Sequence, residues 1–205
     1  MQSIQSLREF SLFNSECEPH ILNFKLADET DASFILSLRT NPSKNKYLSY
    51  TENDLGKQII WLQEYKRREE NGEELYYIVS ENNIPVGTMR MYNIKENECT
   101  YGSWLFSSVT HQLTPIISEI SIYEIAYNVL KKNKVLFDVV KANKKVVNYH
   151  RIKKINLINE DENNYYFSMS KEDWKISKKK YIDLLGVKID IYLYNNNKIG
   201  INSVW

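Results

Sequence analysis

Histidine, cysteine and carboxylate positions limit the chemistries open to this chain. Its three histidines, His20, His111 and His150, are scattered, and its two cysteines, Cys17 and Cys99, share no ligand spacing with them. A zinc enzyme needs clustered donors, so no metal is expected. No Gly-x-Gly-x-x-Gly or Walker pattern is present for a dinucleotide or a nucleoside triphosphate. A different anion seat is legible at Ser107 to Thr114, which leads into a helical pattern. Thr114 is placed to cap that helix, with Pro115 as its first residue, where a missing N–H costs nothing. Unpaired N–H groups and the positive dipole end at such a start suit a pyrophosphate. His150 lies between Tyr149 and Arg151 on a basic segment. With a reference pKa of about 6.5, a histidine there can hold either proton state near neutrality.

The elements that carry these residues belong to an ordinary globular domain. The 205 residues, 42% of them hydrophobic and 26% charged, are enough for one domain with a sizeable core. Lys and Arg number 27 against 26 Asp and Glu, a net charge of +1, so no long-range field draws in a phosphate backbone and no nucleic-acid partner is expected. The cluster of Lys131, Lys132, Lys134, Lys144, Lys145, Arg151, Lys153 and Lys154 reads either as a local phosphate patch or as a solvated face. Arg8, Glu9, Glu16 and Glu18 interrupt the first twenty residues, which therefore lack the apolar stretch of a signal peptide. No run elsewhere reaches the roughly 18 to 20 apolar residues of a membrane span. A cytoplasmic location and reduced, unpaired cysteines are the expectation.

Along the chain, Phe34, Ile35 and Leu38 predict a first helix from Asp31, broken at Asn41-Pro42. A second helix follows Asn53 or Asp54 and ends at Asn71-Gly72. Strands are expected at 75–80, 86–92 and 100–106, joined by polar turns into an antiparallel meander. Ile116, Ile120, Tyr123, Ala126, Tyr127 and Leu130 mark a helix from Pro115 to Lys131, buried along that stripe, with Glu119 and Glu124 toward solvent or capping neighbours. A buried strand at 135–140, a short basic helix from Asn143 to about Lys153, strands at 155–158 and 165–169, and a helix over 171–185 complete the order. The tail alternates Val187, Ile189, Ile191 and Leu193 and is expected to add a hairpin.

With that order, Leu38-Arg39-Thr40-Asn41-Pro42, Tyr101-Gly102-Ser103-Trp104-Leu105-Phe106 and Asn143 to His150, the chain resembles the GNAT (Gcn5-related N-acetyltransferase) superfamily over about residues 22 to 170. More narrowly it is similar to enzymes that acetylate nucleotide-linked amino sugars, of the pseudaminic-acid pathway type. More loosely it resembles the ribosomal-protein N-terminal acetyltransferases. The resemblance implies an α/β (α+β) fold with a mixed, mostly antiparallel central sheet flanked by helices. In it the fourth and fifth strands, here 100–106 and 135–140, splay apart for CoA. Residues 1–20 then read as an N-terminal extension, 21–170 as the acetyltransferase domain, and 171–205 as a C-terminal helix with a hairpin appendage.

The resemblance also implies site residues. The backbone of Trp104, Leu105 and Phe106 would pair with the pantetheine arm of acetyl-CoA as an added strand does. His111, Gln112, Leu113, Thr114 and Ile116 would seat the pyrophosphate, with Asn143 and His150 completing the cofactor set. Here the chain departs from the family motif Gln/Arg-x-x-Gly-x-Gly/Ala, for it has no glycine between Gly102 and Gly186. His150, or Tyr149 beside it, would protonate the departing thiolate. The family's strand glutamate aligns with Thr100, so Glu98 would act as base through a water. Arg39, Lys46, Tyr47, Tyr50, Arg90 and one of Tyr165 and Tyr166, Tyr166 being chosen, would hold the acceptor, a small-molecule amine on a sugar nucleotide used in surface-glycan assembly. A protein N-terminus or lysine is the alternative acceptor, and a degenerate fold that binds without catalysis is the third reading. The alternating tail suits pairing either with a second copy, which would make a homodimer, or with the chain's own sheet edge.

Overall fold

A computed structural model describes residues 9–13, 21–185 and 190–193. Cys17, His20, Val187 and Ile189 lie outside the described residues, as does any hairpin turn of the tail. The strands are β1 (Glu9–Phe13), β2 (Leu22–Leu26), β3 (Leu75–Glu81), β4 (Ile84–Tyr92), β5 (Glu98–Phe106), β6 (Lys134–Val140), β7 (Asn156–Glu160), β8 (Asn164–Ser170) and β9 (Asp190–Leu193). The α-helices are α1 (Ala32–Thr40), α2 (Leu55–Glu70), α3 (Thr114–Glu124), α4 (Lys144–Ile152) and α5 (Lys171–Leu185). Among the described residues nine strands form one sheet in the order β7-β8-β6-β5-β4-β3-β2-β1-β9. Every pairing is antiparallel except β5 with β6. The mixed, mostly antiparallel sheet that the family resemblance implies is therefore the one observed.

Local chemistry places most boundaries. Asp54 accepts the Lys57 N–H at 3.0 Å and starts α2. Gly72, just past its end, adopts φ 76, the left-handed conformation glycine takes without a Cβ clash. Ser170 Oγ accepts the Asp173 N–H at 3.0 Å and starts α5. Asn143 does the same for α4 through Val146 at 3.4 Å. The helix expected to run to Lys131 changes pitch earlier. After Glu124 it continues as one π turn, Ile125–Val129, closed by Leu130 N–H donating to Ile125 O at 2.9 Å, and Lys131 with φ 57 ends it.

Alternation along the strands divides the core between the two sheet faces. Tyr77, Val79, Met89, Met91, Tyr101, Val135 and Phe137 point to the face covered by α3, the π turn and α5. Tyr76 and Ile78 point to the other, against Ile35 of α1 and Leu62 and Tyr65 of α2. Glu119 and Glu124, expected toward solvent or capping neighbours, are buried with the first group, because α3 is covered on all sides.

The sheet opens at its centre. β5 and β6 pair only over Glu98 to Thr100 with Lys134 to Leu136, although both strands continue. β6 stays paired with β8 along its whole length, while β5 follows β4. A bulge helps part them. The β4–β5 register shifts between Thr88 and Arg90, and opposite it Ser103 takes φ 48. Buried Thr88 fixes that conformation by donating its hydroxyl to Ser103 O at 2.8 Å. Farther along β5, Phe106 lies over Gly87, where a Cβ would come within 2.1 Å of the ring, so only glycine permits this close packing.

Candidate active site

Past Thr100 the β5 edge that faces β6 has no strand partner among the described residues. Backbone N–H and C=O groups of Trp104 to Phe106 lie in this segment, so an extended ligand carrying amides can add there as a strand does. Trp104 lies in this segment. Its ring stacks on Tyr149 of α4, with centroids 5.9 Å apart and planes at 21°, and its Nε1 donates to Pro115 O at 2.9 Å.

Beyond β5, residues 107–113 form a tight loop. Ser107 donates to Val86 O at 2.8 Å, Thr110 Oγ1 to the same carbonyl at 3.1 Å, and Leu113 N–H to His111 Nδ1 at 3.3 Å. Thr114 was expected to cap α3, but Leu113 holds that position and makes no side-chain cap bond. The Thr114 hydroxyl instead donates to the Glu81 carboxylate, which also accepts the His111 N–H at 3.1 Å. A side chain at the end of β3 thus fixes a loop that has no glycine. Among the described residues the N–H groups of Ser108, Val109 and Gln112 take no part in the loop's own backbone bonds. Free N–H groups close to a helix start are the kind of donor that suits an anion.

Beneath the opening lies a buried polar cluster centred on Glu119, which is 0% exposed. Lys153 Nζ and Tyr149 Oη each approach Glu119 Oε2 at 2.5 Å, and Lys153 also donates to Tyr149 Oη at 3.1 Å. Tyr101 and Tyr123 hydroxyls lie 3.3 Å from Glu119 Oε1. Burial alone would push the Glu119 pKa up, but the Lys153 charge and these hydrogen bonds bring it below the usual carboxylate value. Burial holds Lys153 below the usual lysine value, with Glu119 opposing. His150 is packed against Phe137 and Phe167, its Nδ1 3.9 Å from Glu119, and burial lowers its pKa to about 4. It is neutral at pH 7.

On the opposite face, a cleft of about 970 Å³ opens between the α1–α2 connection and the exposed side of β4, β5 and β6. Arg39, Lys46, Tyr47, Tyr50 and Arg90 line it, as does Asp138. Arg39 is partly engaged, donating to Thr51 at 2.7 Å and Ser49 at 2.9 Å, and so shapes the connection above the cleft. Arg90 donates to buried Glu74 at 2.5 Å and packs its guanidinium over Trp61 and Tyr92.

The same fold is found in solved structures. A structure titled as apo FdhC, a nucleotide-linked sugar GNAT, is 34% identical, with a TM-score of 0.72 over 80% of this chain and 95% of that one. The chain belongs to the GNAT superfamily of acetyltransferases. Two more distant GNAT structures share the fold. One is the N-acetyltransferase PseH of Campylobacter jejuni with acetyl coenzyme A, 21% identical, TM-score 0.54, covering 72% of this chain and 99% of that one. The other is Mycobacterium smegmatis RimJ with CoA-disulfide, 10% identical, TM-score 0.71, covering 88% and 96%. No protein-family model and no curated protein matches the chain.

Within this GNAT fold the residues expected from the sequence fall into separate places. Trp104 to Phe106, Tyr149 and the 107–114 loop gather on the side of α3 and α4, whereas Arg39, Lys46, Tyr47, Tyr50 and Arg90 gather in the cleft. Tyr166 is not part of the cleft lining; its hydroxyl donates to Asp161 at 2.6 Å. Glu98 lies at the start of β5, ion-paired with Lys134 at 3.0 Å and Lys95 at 3.4 Å. Four residue steps along the strand, about 13 Å, separate it from Gly102. Sequence reasoning missed Glu81, Glu119 and Asp138. Among the described residues no cluster of three or more His, Cys, Asp or Glu side chains could hold a metal, Cys99 is free and buried, and no helix is long and apolar enough to cross a membrane.

Proposed function

We propose that this protein transfers the acetyl group of acetyl-CoA to the amine of a nucleotide-linked amino sugar in cytoplasmic assembly of a surface glycan. The observation that carries the reading is the cleft on the α1–α2 side. It is large enough for a nucleotide-linked sugar, lined by Arg39, Lys46 and Arg90 beside Tyr47 and Tyr50, and it meets the opening between β5 and β6 at Gly102 and Ser103. Cations next to exposed aromatic rings suit a diphosphate joined to a base. The 34% identity to a protein titled a nucleotide-linked sugar GNAT supports the same choice.

The free edge of β5, the Glu81-anchored loop and the start of α3 fit CoA: one supplies amide partners, the others backbone donors for phosphate. Acetyl-CoA supplies an activated acyl group, and the residues do the rest. Trp104 and Tyr149 flank the pantetheine path. The Tyr149 hydroxyl is the proton donor for the sulfur, resupplied by Lys153, which already donates to it. His150, neutral and packed among aromatic rings, orients α4 against β6 rather than exchanging protons.

Thermal unfolding with acetyl-CoA, CoA and ATP tests the cofactor. Ligand at about 100 times its Kd should add roughly 2.7 kcal/mol and raise the midpoint by several degrees. Thiol release is then measured with dTDP- and UDP-linked amino sugars beside basic peptides. Turnover of a sugar nucleotide supports the reading; turnover of a peptide alone moves it to protein acetylation.

A further inference from the structure

The acceptor cleft contains one acid whose position has a use of its own. Among the described residues two carboxylates line it, Glu52 and Asp138. Glu52 is ion-paired with Lys57 at 2.5 Å. Asp138 has no cation partner among the described residues. It sits on β6 two residues past Leu136, the last residue paired with β5. Thr100 is opposite Leu136, so two residues farther along the other arm is Gly102, followed by the bulge at Ser103. Alternation points Leu136, Asp138 and Val140 away from the core, and Asp138 and Val140 both line the cleft. Gly102 brings no side chain into the gap, and the Tyr92 ring closes it on the β4 side, 3.2 Å from where a Cβ would be. A carboxylate therefore stands on one arm of the opening, facing a space left empty on the other.

We propose that Asp138 is the general base of the reaction, taking a proton from the acceptor ammonium held between its carboxylate and the Gly102–Ser103 bulge. This rests on the reading that the cleft admits an amine acceptor. An N–H bond of the ammonium breaks and its proton passes to Asp138. The freed electron pair forms the C–N bond to the thioester carbonyl carbon. The C–S bond then breaks with its electrons leaving on sulfur, which takes a proton from Tyr149; the nitrogen loses its second proton to water in the cleft, and Tyr149 recovers one from solvent through Lys153. Asp138 returns its proton to water in the cleft. One ammonium and one thioester thus become one amide, one thiol and one proton.

The surroundings support the role. Burial raises the Asp138 pKa above the usual carboxylate value, its own backbone N–H opposes this, and the charge of Asp161 in the β7–β8 turn adds to the rise. The other groups that feel or face it are Tyr92 of β4, Tyr166 opposite it on β8, and the lining Ser103 of β5. The two arginines of the cleft are directed elsewhere, Arg90 to Glu74 and Arg39 to Ser49 and Thr51. Asp138 is thus left unneutralised for an incoming ammonium, and a raised pKa makes it a better proton acceptor.

The test compares wild type with Asp138→Asn by kcat/KM from pH 6 to 10, on whichever amine of the sugar-nucleotide and peptide panel turns over. The variant should lose about 100-fold or more at pH 7 and regain most of it as rising pH deprotonates the amine in solution. Its thermal shift with acetyl-CoA should match wild type. Activity within about threefold at pH 7, or an equal loss at every pH, overturns the base role. Turnover of peptides only would overturn the sugar-nucleotide reading while the same comparison still tests Asp138. A wild-type protein that binds acetyl-CoA and acetylates nothing in the panel overturns both.

Discussion

Two carboxylates, Glu119 and Asp138, flank the same opening in the sheet and live in opposite ways. Glu119, under α3, is enclosed and answered by Lys153, Tyr149, Tyr101 and Tyr123. Asp138, on the other face, meets the cleft with its own backbone N–H and the repelling charge of Asp161 as its main influences besides burial. A buried charge persists only when its partners come folded with it, so Glu119 makes the α3–α4 side rigid and specific in shape. A charge left without a cation is a group kept for something that arrives later. The contrast separates a permanent support from a working surface.

The contrast breaks most easily at Lys153. Replacing it with Met strands the Glu119 charge and should cost about 3–5 kcal/mol of stability in urea unfolding, with Glu119→Gln in the same chain restoring much of the loss. A cost near zero would mean that Glu119 is solvated after all. The pH dependence comes next. His150 titrates near the ordinary 6.5 when unfolded and at about 4 when folded, so the unfolded chain takes up a proton first as pH falls. Stability should therefore drop by about 3 kcal/mol between pH 6.5 and 4, and His150→Phe should flatten that segment of the curve. Thr88→Val removes the hydroxyl that holds Ser103 O and should cost about 1–2 kcal/mol, while weakening the stabilisation by acetyl-CoA. The smallest effect belongs to Asp138→Asn, whose midpoint should stay within about 0.5 kcal/mol of wild type or rise slightly, the rise growing with pH as the raised-pKa carboxylate would otherwise ionise. A clear loss of stability there would place Asp138 among the supports.

What the sequence made legible follows the range of the forces involved. Asp54, Gly72 and Ser170 act within a few residues, and the helix boundaries they set were readable. The strand pattern and the break between β5 and β6 were readable through the family resemblance. The environment of α3 was not. A stripe of apolar residues identifies one buried face, but the groups that enclose Glu119 come from Lys153 and Tyr149, some thirty positions away. Thr114 looked like a cap for the same reason: Glu81, which takes its hydroxyl, lies three elements earlier. Asp138 left one faint signal, a single acid in the run Val135-Leu-Phe-Asp-Val-Val140, which reads as an ordinary strand until its opposite number is known to be Gly102.

The sheet also joins early and late parts of the chain. β1 pairs with β9, Phe10 opposite Leu193. During synthesis β1 can dock on β2 soon after both emerge, but its outer edge then waits for nearly the whole chain to follow. For that interval the nascent protein presents an unpaired strand to its neighbours, and completion of the sheet depends on a contact of high sequence separation, the slowest kind to form.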